Sequence, residues 1–286
     1  MDKPPVPIVF DQNQRRRARA RALAHHDQDS RFLFDWAGRQ LADRLLDIRR
    51  EFTAPLKIGT RDRTFLPHAP LTMDIGAPAD VVAEEDFLPF AAHSFDLVFS
   101  ALSLHNVNDL PGALIQIRHA LKPDGLFLGA MLGGETLHEL RHCLQQAEME
   151  LSGGLSPRLS PFADKRQMGS LMQRAQFALP VIDSDIVTVT YASLDKLFAD
   201  LRGMGERNIL AARARTIPPR RLFARAQEIY RDLYAERDGR LAASFEVIFL
   251  LGWAPHDSQQ QPLKPGSAQT RLADALQTQE RELPHD

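Results

Sequence analysis

A strand-helix-strand pattern in the middle of the chain is the feature that most constrains the fold. Residues 95–102 and 125–132 are short apolar runs bounded by turn-forming residues, as is typical of strands buried on both faces of a sheet. The apolar residues of 110–121 recur at helical spacing, and Lys-Pro-Asp-Gly at 122–125 ends that helix. Strands joined by a helical crossover lie parallel, so the sequence predicts an α/β fold with a parallel sheet.

Other segments extend this pattern in both directions. Residues 12–52 are strong helix formers with apolar residues at near-helical intervals, which predicts one or two leading helices. Residues 56–59 and 71–76 predict two further strands. The remaining predicted elements are helices at 136–151 and 165–176, a helical insertion at about 194–240, and strands at 185–191 and 244–253.

The domain organisation follows from this order of elements and from the composition of the C-terminal residues. Gln, Pro, Ser and Lys dominate from His256 onward, which is typical of a loose tail. We therefore predict an N-terminal helical arm over 1–52, an α/β domain over 53–256 that contains the helical insertion, and a flexible tail over 257–286.

The composition excludes several classes of protein. The longest apolar run, 247–254, falls short of the roughly 20 residues that a membrane-spanning helix needs, so we expect no transmembrane segment. A formal net charge of −2 predicts that nucleic acid is not a partner. Cys143 is the only cysteine, which excludes an intrachain disulfide and a thiolate metal cluster and favours a reducing, cytoplasmic compartment.

Five arginines between Arg15 and Arg21 form a dense basic run near the N-terminus. Such a run resembles a transit peptide, in which case the protein would lie in the mitochondrial matrix. It is also compatible with one solvated face of a helix, and Asp2 and Asp11 in the same segment favour this second interpretation. We therefore expect a bacterial cytoplasmic protein whose leading arginines lie in solvent.

Three segments of the middle domain resemble a large enzyme family. Residues 84–90, 94–100 and 121–125 are similar to the pattern of small-molecule class I methyltransferases, and the similarity is dense over residues 80–132. The resemblance implies a Rossmann-like methyltransferase sheet and S-adenosylmethionine (SAM) as cofactor.

Additional motifs at 103–111, 133–137, 156–162 and 200–208 indicate a particular family within this larger one. The similarity to that family extends from about residue 9 to about residue 270. Together they resemble the mitochondrial complex I assembly factor five family and its bacterial relatives. The resemblance implies a methyltransferase-fold protein that hydroxylates an arginine of an iron-sulfur subunit of complex I. That subunit would be the protein partner, and peripheral association with a membrane is compatible with this function.

The residues that would form the SAM site implied by the resemblance differ from the family pattern. In the family the first strand ends in an acidic residue and a glycine-rich turn, because glycine lets backbone N–H groups approach the cofactor. Here only Gly59 keeps that pattern, Lys57 replaces the carboxylate, and Arg61 and Arg63 replace glycines. These changes add bulk and positive charge beside a sulfonium cation, so we expect weak or absent SAM binding.

Two connections in the first half of the domain are short. A parallel crossover needs a dozen or more residues, usually with a helix. Only eleven residues, 60–70, follow the first predicted strand, and Pro67 and Pro70 are among them. Only four residues, 77–80, separate the second predicted strand from Val81. The sequence therefore predicts a truncated cofactor-binding half of the sheet.

Two acidic residues still match the resembled family. Asp74 stands where a carboxylate takes the ribose hydroxyls, and Glu84 stands where one meets the adenine amine. The resemblance thus implies Gly59, Asp74 and Glu84 as cofactor-binding residues. On the residues alone, Asp74 could equally cap a turn, and Glu84 could be one of three solvated acids.

A His-Glu-x-x-His motif at 138–142 lies on a predicted helix. His138 and His142 would share one helix face and could bind zinc, with Glu139 as a general base. No third ligand occurs at a recognisable spacing, so we interpret both histidines as incidental and predict no metal site.

His105 and Glu135 are two candidate catalytic residues. His105 follows the predicted strand at 95–102, and open α/β sheets bind ligands outside the carboxyl ends of their strands. Histidine titrates near neutral pH, which suits proton transfer. Packing of the ring within a loop is the alternative interpretation.

Arg158 is the third candidate catalytic residue. It lies in a loop at 153–161 that is rich in Gly and Pro, and such loops often close over a site. The turn at 203–206, followed by Asn208, could face the same end of the sheet, although turn chemistry alone explains its glycines.

Three functional hypotheses follow. The first is a protein-modifying enzyme or assembly factor of the complex I type, acting on a partner at the carboxyl ends of the strands. The second is a catalytically inactive scaffold that keeps only the binding surface. The third is a conventional SAM-dependent methyltransferase of a small molecule, and a zinc hydrolase is the least supported alternative.

Overall fold

Seven strands form one sheet in the computed structural model of the protein, which describes residues 7–24, 29–61, 71–76, 78–260, 267 and 270–278. The strands are β1 (Pro55–Ile58), β2 (Leu71–Asp74), β3 (Val81–Val82), β4 (Phe95–Ala101), β5 (Leu121–Leu132), β6 (Ala178–Tyr191) and β7 (Leu241–Trp253). Their order is β3-β2-β1-β4-β5-β7-β6, with β1 to β5 parallel and β7 antiparallel to both of its neighbours. The predicted α/β fold with a parallel sheet is confirmed.

Helices cover both faces of the sheet. They are α1 (Gln12–Ala24), α2 (Phe32–Leu46), α3 (Leu110–Ala120), α4 (His138–Ser152), α5 (Lys165–Arg174), α6 (Leu194–Met204) and α7 (Arg220–Tyr234). Successive residues of β4 point to opposite faces, so Leu97 and Phe99 pack on the side of α2, α4, α6 and α7, whereas Val98 packs on the side of α3 and α5. All seven residues of β4 are buried, which explains its uninterrupted apolar sequence.

The elements after β5 differ in detail from the predicted ones. The helical insertion expected at about 194–240 consists of two helices, α6 and α7, separated by non-helical residues 205–219. Ser193 caps α6 by accepting a hydrogen bond from the Lys196 N–H, and Gly205 ends it with a φ of +79°. Strand β6 begins at Ala178 rather than at the expected Asp185.

The first half of the sheet is much smaller than the second. Strands β1, β2 and β3 contain four, four and two residues, whereas β5, β6 and β7 contain 12, 14 and 13. The described residues between β2 and β3 contain no helix, and the Asp80 carboxylate closes this link by accepting hydrogen bonds from the Thr72 N–H and hydroxyl (2.8 and 2.7 Å). The predicted truncation is confirmed for this connection. Residues 62–70 of the other short connection, which include Arg63, Pro67 and Pro70, lie outside the described residues.

The chain separates into two compact units, Met1–Pro255 and His256–Asp286. The first unit contains the sheet and helices α1 to α7, and the second contains the short helix Leu272–Ala275. In the part of the chain that the structure describes, no helix is both long and apolar enough to cross a membrane.

Candidate functional site

The carboxyl ends of β1, β2 and β4 meet at a tight turn. Gly59 follows β1 with a φ of +84°, a left-handed conformation that favours glycine. Its N–H donates to the Met73 carbonyl (2.7 Å), and a Cβ at this position would lie 3.0 Å from the Cβ of Ser103. The glycine that the sequence keeps from the family motif is therefore required by the backbone itself.

Asp74, at the end of β2, accepts hydrogen bonds through both carboxylate oxygens. Oδ2 accepts from the Thr60 N–H and hydroxyl (2.8 Å each) and from Arg19 of α1 (2.8 Å). Oδ1 accepts from the Gly76 N–H (3.2 Å). Burial opposes ionisation of Asp74, but the charges of Arg19 and Arg61 and the hydrogen bonds outweigh it and lower its pKa from 3.8 to about 2.

The buried acid next to Asp74 at this end of the sheet is Glu85 rather than Glu84. The Glu85 side chain is fully buried and forms a bidentate ion pair with Arg15, with N to O distances of 2.7 and 2.5 Å. Ser103 donates its hydroxyl to the same carboxylate. Glu84 is partly exposed and pairs with Arg16 (2.5 Å). Sequence reasoning missed Glu85, because a run of consecutive acids carries no signal of which one is buried.

Three arginines of α1 hold this helix over the carboxyl ends of β1 and β2, and we name Arg15, Arg16 and Arg19 the arginine latch. Helix α1 contains no large apolar residue before Leu23, so ion pairs rather than an apolar face attach it here. Arg15 and Arg19 are each only 7% exposed. The expectation of a solvated arginine face is therefore wrong for these two residues.

The resemblance to class I methyltransferases implies SAM as cofactor. The contacts of the arginine latch show whether the residues at this end of the sheet are free to bind SAM. The ribose hydroxyls would need the Asp74 carboxylate, but Arg19 and Thr60 already occupy it. The neighbouring buried acid, Glu85, is likewise occupied, by Arg15. The two carboxylates that could contact the cofactor here are thus already paired with arginines of α1. In this arrangement the residues do not fit SAM.

A second polar cluster forms around Glu206, which follows α6. Arg61 Nη1 donates to its Oε1 (2.7 Å), and Asn106 Nδ2 donates to its Oε2 (3.0 Å). The Arg61 guanidinium carbon lies 4.2 Å from the centroid of the Phe34 ring. Arg61 was expected to add bulk and positive charge at the Gly59 turn, and Glu206 pairs with this charge.

His105 contacts both Glu206 and Phe162 beyond the carboxyl end of β4. Its Nε2 lies 3.3 Å from Glu206 Oε2, and its ring meets the Phe162 ring edge to face with centroids 5.4 Å apart. The side chain is fully buried, and its ring nitrogens have no hydrogen-bond partner among the described residues. Burial opposes ionisation of Glu206, but His105 and Arg61 lower its pKa well below the usual range, so Glu206 is ionised at neutral pH.

A cavity of about 1060 Å³ opens beside this cluster, with Glu206 and Arg158 among the residues that line it. Arg158 is neutralised by Glu148 at 2.6 Å. Asn208 Nδ2 donates to the Pro157 carbonyl (3.0 Å), which ties the Gly/Pro-rich loop to the segment after α6. The structure thus brings these two predicted segments together around one cavity.

The histidine motif of α4 has structural partners. The Glu139 carboxylate is buried and accepts hydrogen bonds from the Ser244 hydroxyl and N–H (2.6 and 3.2 Å). His142 Nδ1 lies 2.8 Å from the Tyr234 hydroxyl, and the His138 ring also packs against Tyr234. Within the described ranges, no group of His, Cys, Asp and Glu side chains is arranged to hold a metal ion.

The predicted candidate Glu135 and the single cysteine of the sequence lie away from the cavity lining. Glu135 is exposed and is not among the described residues that line the cavity. Cys143 is fully buried, and burial together with the nearby Glu139 raises its pKa to about 12. Cys143 is therefore a protonated thiol of the core.

Comparison with known proteins agrees with this architecture. Residues 70–129 match the family model of the methyltransferase domain, and this match begins after the Gly59 turn. The sheet order, with parallel strands in the succession β3-β2-β1-β4-β5, is that of a Rossmann-like fold, and residues 70–129 within it are similar to a methyltransferase domain.

Relatives of similar length define the family more closely. The chain is 40% identical over 287 residues to "Arginine-hydroxylase NDUFAF5, mitochondrial" of Danio rerio, covering 93% of this chain and 89% of that protein. It is 38% identical over 282 residues to the Homo sapiens protein of the same name, with 91% and 81% covered. The chain therefore belongs to the arginine-hydroxylase NDUFAF5 family. Among solved structures, the YcgJ protein of Bacillus subtilis is similar with a TM-score of 0.49 and 14% identity, covering 76% of this chain and 99% of that one.

Proposed function

We propose that this chain hydroxylates an arginine side chain of a partner protein, the activity for which its relatives are named. Family membership supports the class of reaction. The structural observation that carries the proposal is Glu206, an ionised carboxylate that is only 12% exposed, binds one guanidinium and also lines the cavity.

Glu206 has capacity for a second guanidinium. A carboxylate offers about four lone-pair positions, and within the described residues Glu206 accepts hydrogen bonds from Arg61 and Asn106. An arginine that enters through the cavity would reach the same carboxylate by a charge-assisted hydrogen bond. His105, at 3.3 Å from Glu206, is the candidate to hold or release a proton there.

The reaction converts one C–H bond of the arginine side chain into C–OH, which is a two-electron oxidation. We infer dioxygen as the oxidant: one oxygen atom enters the side chain, and the other is reduced to water with two electrons and two protons from an external donor. The family resemblance favours an iron-sulfur subunit of a respiratory complex as partner. The single, buried Cys143 supports a reducing compartment, either a bacterial cytoplasm or a mitochondrial matrix.

Mass spectrometry of a co-expressed iron-sulfur subunit tests this function. With the wild-type chain we expect one arginine of the subunit to gain the mass of one oxygen atom. Glu206→Gln is expected to lower the modified fraction at least about tenfold, because a neutral amide no longer binds a guanidinium as an ion pair. An unmodified subunit with the wild-type chain would contradict the proposal.

Controls separate a loss of function from a loss of fold. Glu51→Gln changes an exposed glutamate before β1 and should leave the modified fraction unchanged. Circular dichroism of Glu206→Gln should retain the wild-type helical signal, since Arg61 keeps its contacts with Phe34 and with the Met204 carbonyl. A modified fraction that falls equally in both variants would not support a role for Glu206.

The arginine latch favours a second candidate function, a catalytically inactive assembly scaffold. Asp74 and Glu85 are both occupied by residues of the chain itself, as would suit a site that no longer turns over a nucleoside cofactor. In that case, deletion of the chain would impair assembly of the respiratory complex, whereas the subunit would carry no modified arginine in the wild type.

We expect the wild-type chain to show no micromolar binding of SAM in isothermal titration calorimetry, because Arg19 occupies Asp74. Arg19→Ala, which removes the charged partner of that carboxylate, should bind SAM on the order of tenfold more tightly than the wild type. Arg16→Ala is the matched control on the same helix, since its pair with Glu84 is partly exposed. Saturable binding by the wild type with a Kd of about 1 µM would contradict this expectation.

A further inference from the structure

The deep wall of the cavity is apolar and formed by rigid elements. It is lined from α4 by Leu140 and Leu144, from α6 by Phe198 and Leu201, from α7 by Phe223, and from β7 by Phe245. Leu140, Leu144 and Phe245 belong to the buried core. The Phe198 and Phe223 rings meet edge to face with centroids 5.5 Å apart, so the wall is preformed rather than collapsed. A cavity of about 1060 Å³ with such a wall has the size of a small-molecule site.

Six arginines are among the polar residues that line the same cavity. Two of them are neutralised, Arg158 by Glu148 and Arg213 by Asp11. Four others line the cavity without an ion pair or hydrogen bond to any residue that the structure describes; they are Arg202, Arg207, Arg215 and Arg220. The acidic lining residues among those described are Asp195 and Glu206, and Arg61 already neutralises Glu206. The cavity therefore carries excess positive charge.

The lowered pKa of Arg207 agrees with an excess of positive charge in the cavity. Burial and the charges of Arg21 and Arg202 lower its pKa below the usual value for arginine, and no acidic group offsets them. Like charges held near one another in a partly buried site are stabilised by an anion that binds between them. Ile217, which is 94% exposed at the opening, continues the apolar wall outward.

From this combination of an apolar wall and unneutralised arginines, we propose that the cavity binds an amphipathic anion: a molecule with a hydrocarbon chain and a carboxylate or phosphate head group. The chain packs on the wall between α4, α6 and α7, and the head group pairs with Arg207 and Arg215. A quaternary ammonium head group, which has no N–H to donate to Glu206 as a guanidinium does, would be repelled by Arg207 and Arg215. An uncharged head group would leave these arginines without a partner. The inference does not depend on arginine hydroxylation, because it uses neither His105 nor Glu206.

Isothermal titration calorimetry with dodecyl compounds of one chain length tests the proposal on the full chain. Dodecanoate and dodecyl phosphate, below their micellar concentrations, should bind saturably with one molecule per chain, and the tighter of the two identifies the head group. Dodecanol should bind at least about tenfold more weakly than the better anion, a difference of about 1.4 kcal/mol. Dodecyltrimethylammonium and inorganic phosphate alone should not bind.

Variants test each part of the site. Arg207→Gln combined with Arg215→Gln should weaken binding of the better anion at least about tenfold, whereas the exposed pair Arg166→Gln and Arg237→Gln outside the lining should leave it unchanged. Ala224→Trp fills the cavity from an exposed position of α7 and should abolish binding without removing a core contact.

Several results would overturn the proposal. Equal binding of dodecanol and dodecanoate would remove the role of the arginines, and anion binding that survives Ala224→Trp would place the ligand elsewhere. If poly-glutamate bound in an Arg207- and Arg215-dependent manner while dodecanoate and dodecyl phosphate did not bind, the arginines would serve an acidic protein partner instead.

Discussion

Arg15→Met is expected to destabilise the fold by about 3–5 kcal/mol, because it leaves a buried carboxylate without its partner. The Glu85 side chain is fully buried and bound bidentately by Arg15. Methionine keeps the length of the side chain but supplies no positive charge. Urea unfolding followed by circular dichroism measures the loss as a lower free energy of unfolding at pH 7.

The neighbouring latch residue provides the control. Arg16→Met removes a pair whose arginine is 49% exposed, and it should cost at most about 1 kcal/mol. The double variant Arg15→Met with Glu85→Leu should recover much of the lost stability, because it removes the unpaired charge as well. Equal, small losses for Arg15→Met and Arg16→Met would mean that Glu85 is not held as an ion pair.

Asp74→Asn is expected to make the free energy of unfolding depend less on pH in the acidic range. The pKa of Asp74 is lowered from 3.8 to about 2 in the folded chain. A carboxyl group with a lowered folded pKa contributes stability above the unfolded value, and this contribution is lost as pH falls through the folded value. We therefore expect the wild type to lose about 2 kcal/mol through this group between about pH 4 and pH 2, since one pKa unit corresponds to about 1.4 kcal/mol.

Urea unfolding at a series of pH values measures this effect as the difference in slope between the wild type and Asp74→Asn. Asp43→Asn, an exposed substitution on α2, is the matched control and should retain the wild-type slope. A wild-type slope in Asp74→Asn would show that the ion pair with Arg19 does not form in solution.

The strand-helix-strand unit in the middle of the chain was predictable because the local spacing of apolar residues determines it. The two strands buried on both faces and the helix between them have distinct apolar periods, and the short connection before Val81 excludes a crossover helix by length alone. The first part of β6 was not predicted. Pro180 and Asp183 are unfavourable in most strands, but β6 is an edge strand that pairs with β7 alone and tolerates them.

Within the candidate site, only the positions of residues at or just after the ends of strands were predictable. Asp74 and His105 follow strands, so their places at the carboxyl edge follow from the fold. The latch was not predictable, because an arginine-rich helix has the composition of a solvated one. Its burial depends on partners far along the chain: Arg15 and Glu85 are 70 residues apart. Glu206 meets Asn106 across 100 residues, a pairing that no local pattern specifies.

The short strands at one edge of the sheet determine how the protein opens. Amide hydrogens in β5 and β7 belong to long, buried ladders, so they exchange with solvent only through extensive unfolding. Strands β1 to β3 have few ladder bonds, and side chains of α1 supply much of their attachment. We therefore expect this edge to open at a lower free energy than β5 and β7, and its opening would release Asp74 and Glu85 together.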